Sequence, residues 1–175
     1  FLGFVMQWNL IGPFDNRGQK HFDTVYDVEA DLIQGKFDKA ASYEGKDGNP
    51  VTWIEHASQD REGLIRLADV FKKEKGAVVY GYHVFNAAKA EPAQIRLTSV
   101  NANKVWFNGD LVLSNDVYHS GSALDQYIAD IDLKAGPNVF VIKSLQNEQT
   151  EGWAQEYQFQ FRVSDPTGKA IHPAP

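Results

Sequence analysis

Along most of the chain, apolar and polar residues alternate with a period of two, the mark of strands that bury one face. Leu2–Ile11 is a first apolar stretch that ends at Gly12-Pro13. Residues 15–50 read as a long loop region, rich in Asp, Gly, Asn and Lys, with short apolar touches at Val25–Val28 and Leu32-Ile33. Val51–Ile54 predicts a short strand. Gly63–Phe71 is open between a helical turn (Leu64, Leu67, Val70, Phe71) and a strand at Leu64-Ile65.

Clearer strands follow at Ala77–Asn86 and Ala93–Val100, and then at Lys104–Phe107 and Leu111–Leu113. The last two flank Asn108-Gly109, a strong hairpin turn because both residues tolerate positive φ. Gln126–Leu133 and Asn138–Leu145 come next, divided by Gly136-Pro137. In Gln155–Val163 the residues Tyr157, Phe159, Phe161 and Val163 share one face, and Gln158, Gln160 and Arg162 the other. Many short strands with almost no helix predict an all-β fold, an antiparallel sandwich or barrel. No linker interrupts the pattern, so residues 1–175 read as one domain.

Composition narrows the function classes. Of 175 residues, 43% are hydrophobic and 13% aromatic, a folded composition whose rings suit pleated surfaces. The net charge of −6 argues against nucleic acid as a partner, which calls for a basic face. No apolar run approaches the ~20 residues of a membrane-spanning helix, so no membrane insertion is expected. With no Cys, disulfides and thiolate chemistry are excluded. The chain begins at Phe1 without a leader, which reads as a processed protein or an excised module.

The segment Trp8-Asn9-Leu10-Ile11-Gly12-Pro13-Phe14-Asp15-Asn16, followed by Phe22-Asp23-Thr24-Val25-Tyr26, resembles the opening of galactose-binding-domain-like jelly-roll modules. Lys104–Gly109, Leu133–Lys143 and Gly152-Trp153 extend the resemblance, in order, over nearly the whole chain. It implies a jelly-roll β-sandwich with long N-terminal loops, of the kind attached to secreted bacterial polysaccharide-degrading enzymes. It further implies a carbohydrate-binding module, a secreted or periplasmic location, and a catalytic domain in the same or a larger chain as partner. Modules of this kind often hold a structural Ca²⁺ in loops, and Asp15, Asn16, Asp23 and Asp27 are the candidate oxygen ligands.

A pyranose offers an apolar face to an aromatic ring and a rim of hydroxyls to Asn, Gln, Asp or Arg. Trp106 stands between Val105 and Phe107. If those two point inward it points out, either to solvent or beneath a loop. Trp53 follows the Gly- and Asp-rich segment 44–50 and reads as a loop-borne platform or as core. Trp153 follows a polar stretch, Gln146–Gly152, whereas Trp8 reads as core. Loop 114–124 carries Asp116, Tyr118 and His119, and together with Trp53 and Trp153 forms the expected rim of a site. Gln158, Gln160 and Arg162 form a polar row that is either a second recognition face or a solvated one, with Tyr80 and Tyr82 expected near it.

No nucleophile elbow, phosphate loop or zinc-type His spacing occurs. What the resemblance implies is then non-catalytic binding of a polysaccharide or oligosaccharide, with neutral β-glycans preferred because the chain is acidic. The rival expectations are a structural or protein-interaction sandwich packed on a catalytic neighbour, and a small glycan-active enzyme with two carboxylates.

Overall fold

A computed structural model describes residues 2–175; Phe1 lies outside the described residues. Twelve strands form: β1 (Gln7–Asp15), β2 (Ser42–Glu44), β3 (Pro50–Thr52), β4 (Ile54–Ala57), β5 (Ile65–Arg66), β6 (Ala77–Ala87), β7 (Glu91–Ser99), β8 (Ala102–Phe107), β9 (Asp110–Asn115), β10 (Tyr127–Leu133), β11 (Gly136–Gln146) and β12 (Gln158–Ser164). Two short helices, α1 (Asp27–Ile33) and α2 (Leu67–Phe71), interrupt them. The large sheet has the order β4-β1-β6-β11-β8-β9, and the small one β10-β7-β12-β5. Apart from the β8–β9 hairpin, the chain from β6 to β12 changes sheet at every connection. That is a jelly-roll path in an antiparallel sandwich.

The core between the sheets takes one parity of each strand. Trp8 and Leu10, Val79 and Phe85, Val105 and Phe107, and Phe140 and Ile142 come from the large sheet. Ile95 and Leu97, Ile131 and Leu133, and Phe159, Phe161 and Val163 come from the small one. These are the inward positions that the alternation predicts. At Asn108-Gly109 both residues have positive φ, and a Cβ on Gly109 would meet the Ile33 carbonyl oxygen at 2.8 Å. The hairpin tip thus needs glycine both for its turn and for the close approach of the α1 end.

The outer face of the large sheet is also buried. Ile11, Phe14, Val78, Tyr80, Trp106, Val141 and Leu145 form a second core with Phe22, Val28, Leu32, Val51 and Trp53. The covering layer is residues 16–53. The sequence reading of 15–50 as loop is corrected here: the segment holds α1 and the β2–β3 hairpin, and it packs rather than hangs free. Helix α1 has only seven residues, so packing of Val28 and Leu32 holds it more than intrinsic propensity does.

Beneath this layer, Lys143 Nζ donates to Glu29 Oε1 at 2.8 Å and to the carbonyls of Phe22 at 3.0 Å and Thr24 at 2.7 Å. Tyr80 donates its hydroxyl to Glu29 at 2.8 Å. The side chains of Lys143 and Glu29 are 0% and 4% exposed, so the layer is fastened by a dry ion pair. Burial pushes the Lys143 amine below its ordinary value, and Glu29 opposes that shift.

Other boundaries move for local reasons. Strand β1 runs through Gly12-Pro13 with a register shift between Ile11 and Phe14, instead of ending there. The ambiguous segment 63–71 satisfies both readings, with β5 followed directly by α2. Residues Gly152–Gln155 form a 3₁₀ turn, and the last strand begins only at Gln158.

Candidate functional site

Three loops meet at one end of the sandwich: 16–21 after β1, 115–126 between β9 and β10, and 147–157 between β11 and β12. A network of buried amides joins them. Asn16 Nδ2 donates to the Tyr118 hydroxyl at 2.9 Å and to the Gln146 carbonyl at 3.1 Å, while its Oδ1 accepts from the His21 backbone. Gln146 takes a bond from Asn101 and gives one to the Ala154 carbonyl at 2.8 Å, which ties down the turn that carries Trp153. Asn147 donates to Gln149 at 2.8 Å and to Gln19 at 3.3 Å, and its Oδ1 lies 3.3 Å from His119 Nε2.

Above this scaffold Trp153 is 65% exposed, and the edge of its ring system meets the His119 ring at a centroid distance of 5.2 Å and 81°. His119 takes a positive φ, and its backbone N–H donates to the Val100 carbonyl. Its side chain is thereby fixed under Trp153. Tyr118 is half-buried, and burial pushes its hydroxyl above the usual value. Asp116 is exposed on the same loop. The structure thus brings Tyr118, His119 and Trp153 together and adds Gln19, Asn147 and Gln149. The sequence sign of the last two was the polar stretch Gln146–Gly152 leading into Trp153. Gln19 had no sign of its own.

The other expected residues lie elsewhere. Trp53 is corrected from platform to core: it is buried against Phe37 at 5.0 Å, in the covering layer over Tyr82. Tyr82 is five residues along β6 from Ala77, which pairs with Gln146 at the loop end, so the two are separated by roughly 17 Å of strand. Trp106 does have the parity opposite to Val105 and Phe107, but that face is covered and the ring is 6% exposed.

The polar row on β12 is likewise corrected from an open face to a set of structural ties. Gln160 donates to the Glu62 carbonyl at 2.7 Å. Arg162, 4% exposed, makes a paired contact with Asp125 at 2.8 and 2.7 Å and also donates to the carbonyls of Leu2 and Gly168. Gln158, half-buried, sits at the start of the row, where its backbone N–H donates to Asn101. Tyr80 and Tyr82 lie on the far side of the large sheet and not near this row.

The four residues considered for Ca²⁺ have the following surroundings. Asp15 accepts from the Arg17 backbone and lies 3.4 Å from His21, and Asp23 is held by Lys104 at 2.7 Å. Asn16 is occupied by the loop network, and Asp27 opens α1. Among the described residues no group of three or more His, Cys, Asp or Glu is placed to hold a metal.

Asp125 also anchors the site loop. Arg162 and, less strongly, Arg96 hold its carboxyl below the usual range. Asp125→Asn is therefore expected to destabilise the fold by about 2 kcal/mol, a value reduced from that of a fully buried pair because Asp125 is 18% exposed. The sign in pH follows from the depressed value. The contribution is complete above about pH 4, the unfolded carboxyl's value, and is lost as pH falls through the lower folded value. Chemical denaturation of both proteins from pH 7 to 2 checks this: the difference should shrink in acid, and a constant difference would refute it.

No protein-family model matches the chain, and no curated protein matches it in sequence. Among solved structures it is similar to part of a β-glucosidase from Kluyveromyces marxianus in complex with glucose: 13% identity and a TM-score of 0.48, covering 94% of this chain and 17% of that one. It is similar to a β-glucuronidase from an uncultured Clostridium species at 10% identity and a TM-score of 0.48, covering 93% of this chain and 29% of that one. A family 35 carbohydrate-binding module from Clostridium thermocellum matches at 18% identity and a TM-score of 0.33, over 50% of this chain and 71% of that module. The chain thus spans less than a third of the length of either enzyme. No helix among the described residues is long and apolar enough to cross a membrane.

Proposed function

We propose that the three-loop end binds a glycan without catalysing its cleavage, and that Trp153 supplies the ring on which a sugar face rests. The observation that carries this reading is an exposed tryptophan held by His119 over a bed of buried amides. A flat ring of this kind suits a sugar face, and the exposed Gln19 and Asp116 with the half-buried Gln149 offer polar groups for a hydroxyl rim. The loops are fixed before the ligand arrives, which lowers the ordering cost of binding.

Neutral β-glycans suit the site better than uronic or sulfated chains. Glu148 and Glu151 flank Asn147 and Trp153 in sequence, and the chain carries a net charge of −6. The wider reading is that the module holds a partner catalytic domain, in the same or a larger chain, close to a polysaccharide outside the cytoplasm. Affinity electrophoresis against neutral and anionic polysaccharides tests it. Retardation by at least one neutral glucan, xylan or mannan is expected, and unaltered mobility of the folded protein on all of them would overturn it.

A second reading, a sandwich that docks on a catalytic neighbour, is favoured by an apolar furrow of about 260 Å³ between Phe4, Val5, Met6, Phe85, Ile171 and Pro173. Polysaccharide-independent association with a catalytic domain would support it.

A further inference from the structure

A cleft of about 490 Å³ lies away from the loop end, on the outer face of the large sheet at its β4 edge. Register explains how it is built. Gln7 pairs with Ala57, and Asn9 pairs with both Glu55 and Tyr82, so these side chains stand side by side on one face. Val84, two residues beyond Tyr82, continues the row and is 39% exposed. Tyr82 is not loose: Phe37 stacks on one face of its ring at 4.0 Å and 1°, and behind this pair lies Trp53. One wall is therefore a rigid aromatic, and the other is polar.

One further observation bears on a ligand. Asn9 Oδ1 is buried and has no hydrogen-bond partner in the protein. Such orphans are few in folded proteins and call for an explanation, and this one belongs to a residue that lines the cleft. At the rim Glu55 is paired with Lys39, and the lining also includes His56 and His83.

We infer that this cleft is a second glycan subsite for a neutral pyranose unit, independent of the Trp153 end. Tyr82 and Val84 take the apolar sugar face, and Gln7 and Glu55 bond its hydroxyls, with Asn9 turning its amide to join them. The volume is in the range of small-ligand sites. A module with two sites on different surfaces grips a polysaccharide by avidity, since the second contact forms at a high effective concentration.

The test is a ¹H–¹⁵N titration of the full chain with cellohexaose, xylohexaose, laminarihexaose and mannohexaose, each to about 10 mM, well beyond millimolar affinity. Saturable shifts of the Asn9, Glu55, Tyr82 and Val84 amides are expected with at least one of them. They should persist in Trp153→Ala and weaken about tenfold or more in Tyr82→Ala. Asn9→Ala and the edge-strand variant Glu55→Ala give the same readout should Tyr82→Ala fold poorly. Absence of saturable shifts at the cleft with all four sugars overturns the inference, whether or not residues 118–153 respond. Cleft shifts unchanged in all the cleft variants overturn it as well. The Trp153 reading is judged separately, from the amides of 118–120 and 147–153.

Discussion

Trp153→Ala is expected to abolish retardation on the polysaccharide that the wild-type protein binds, with an affinity loss of about thirtyfold or more. A central aromatic anchor is typically worth about 2 kcal/mol or more, and 1.4 kcal/mol is tenfold. Stability should hardly change. At 65% exposure the ring buries little surface, and its contact is with one neighbouring ring, His119. Trp153→Phe should recover part of the binding, because a flat apolar face remains. Trp106→Ala is the informative contrast. That ring is 6% exposed in the second core, so its removal should cost about 3–5 kcal/mol of stability. Isothermal titration calorimetry and thermal melts on the three variants separate the effects. Wild-type affinity in folded Trp153→Ala would end the case for this site.

Glu29→Ala should give a loss of stability as large as that of Trp106→Ala, about 3–5 kcal/mol and a fall in Tm of ~10 °C. It leaves Lys143 buried without its carboxylate and the Tyr80 hydroxyl without an acceptor. The two carbonyls that remain for Lys143, those of Phe22 and Thr24, belong to the layer that the pair fastens. The double variant Lys143→Met with Glu29→Gln should regain much of the loss. A neutral pair removes both desolvation costs, and the introduced amide oxygen still accepts from Tyr80.

The pH dependence has a definite sign. The Lys143 amine already titrates below its ordinary value because it is buried, and loss of Glu29 removes the group that opposes this. Between the folded value and about 10.4 the unfolded chain binds the extra proton, so stability rises with pH there. The rise should span a wider window in Glu29→Ala than in the wild type. Denaturant midpoints from pH 6 to 10 measure it. A variant as stable as the wild type would show that the pair contributes nothing net.

Strand parity was legible in the sequence because it depends only on the geometry of an extended chain, in which side chains alternate. Val105 and Phe107 did turn inward and Trp106 did turn away from them. What lies over an outward face is a long-range property, and here residues 16–53 cover it. The sign was present in Ala77–Phe85, whose near-continuous apolar run marks a strand buried on both faces. Gln160 and Arg162 erred in the same direction: their face was right, and Glu62, Asp125 and the chain ends occupy it.

Of the site, the sequence pointed to loop 114–124 and to Trp153 as places where polar groups and a ring are dense. It had no means of joining them, since Asn16, Tyr118, Asn147 and Trp153 are far apart along the chain and meet only because β1, β9 and β11 end on the same side.

By itself, then, the sequence determined an all-β domain, the inward set of its strands, its acidic charge and the freedom from cysteine chemistry. These follow from local geometry and composition. Tertiary structure alone decided which of four tryptophans meets water. A ring's exposure depends on what other segments bury, and the covering layer hides Trp53 and Trp106 while Trp153, set edgewise against the His119 ring, stays 65% exposed.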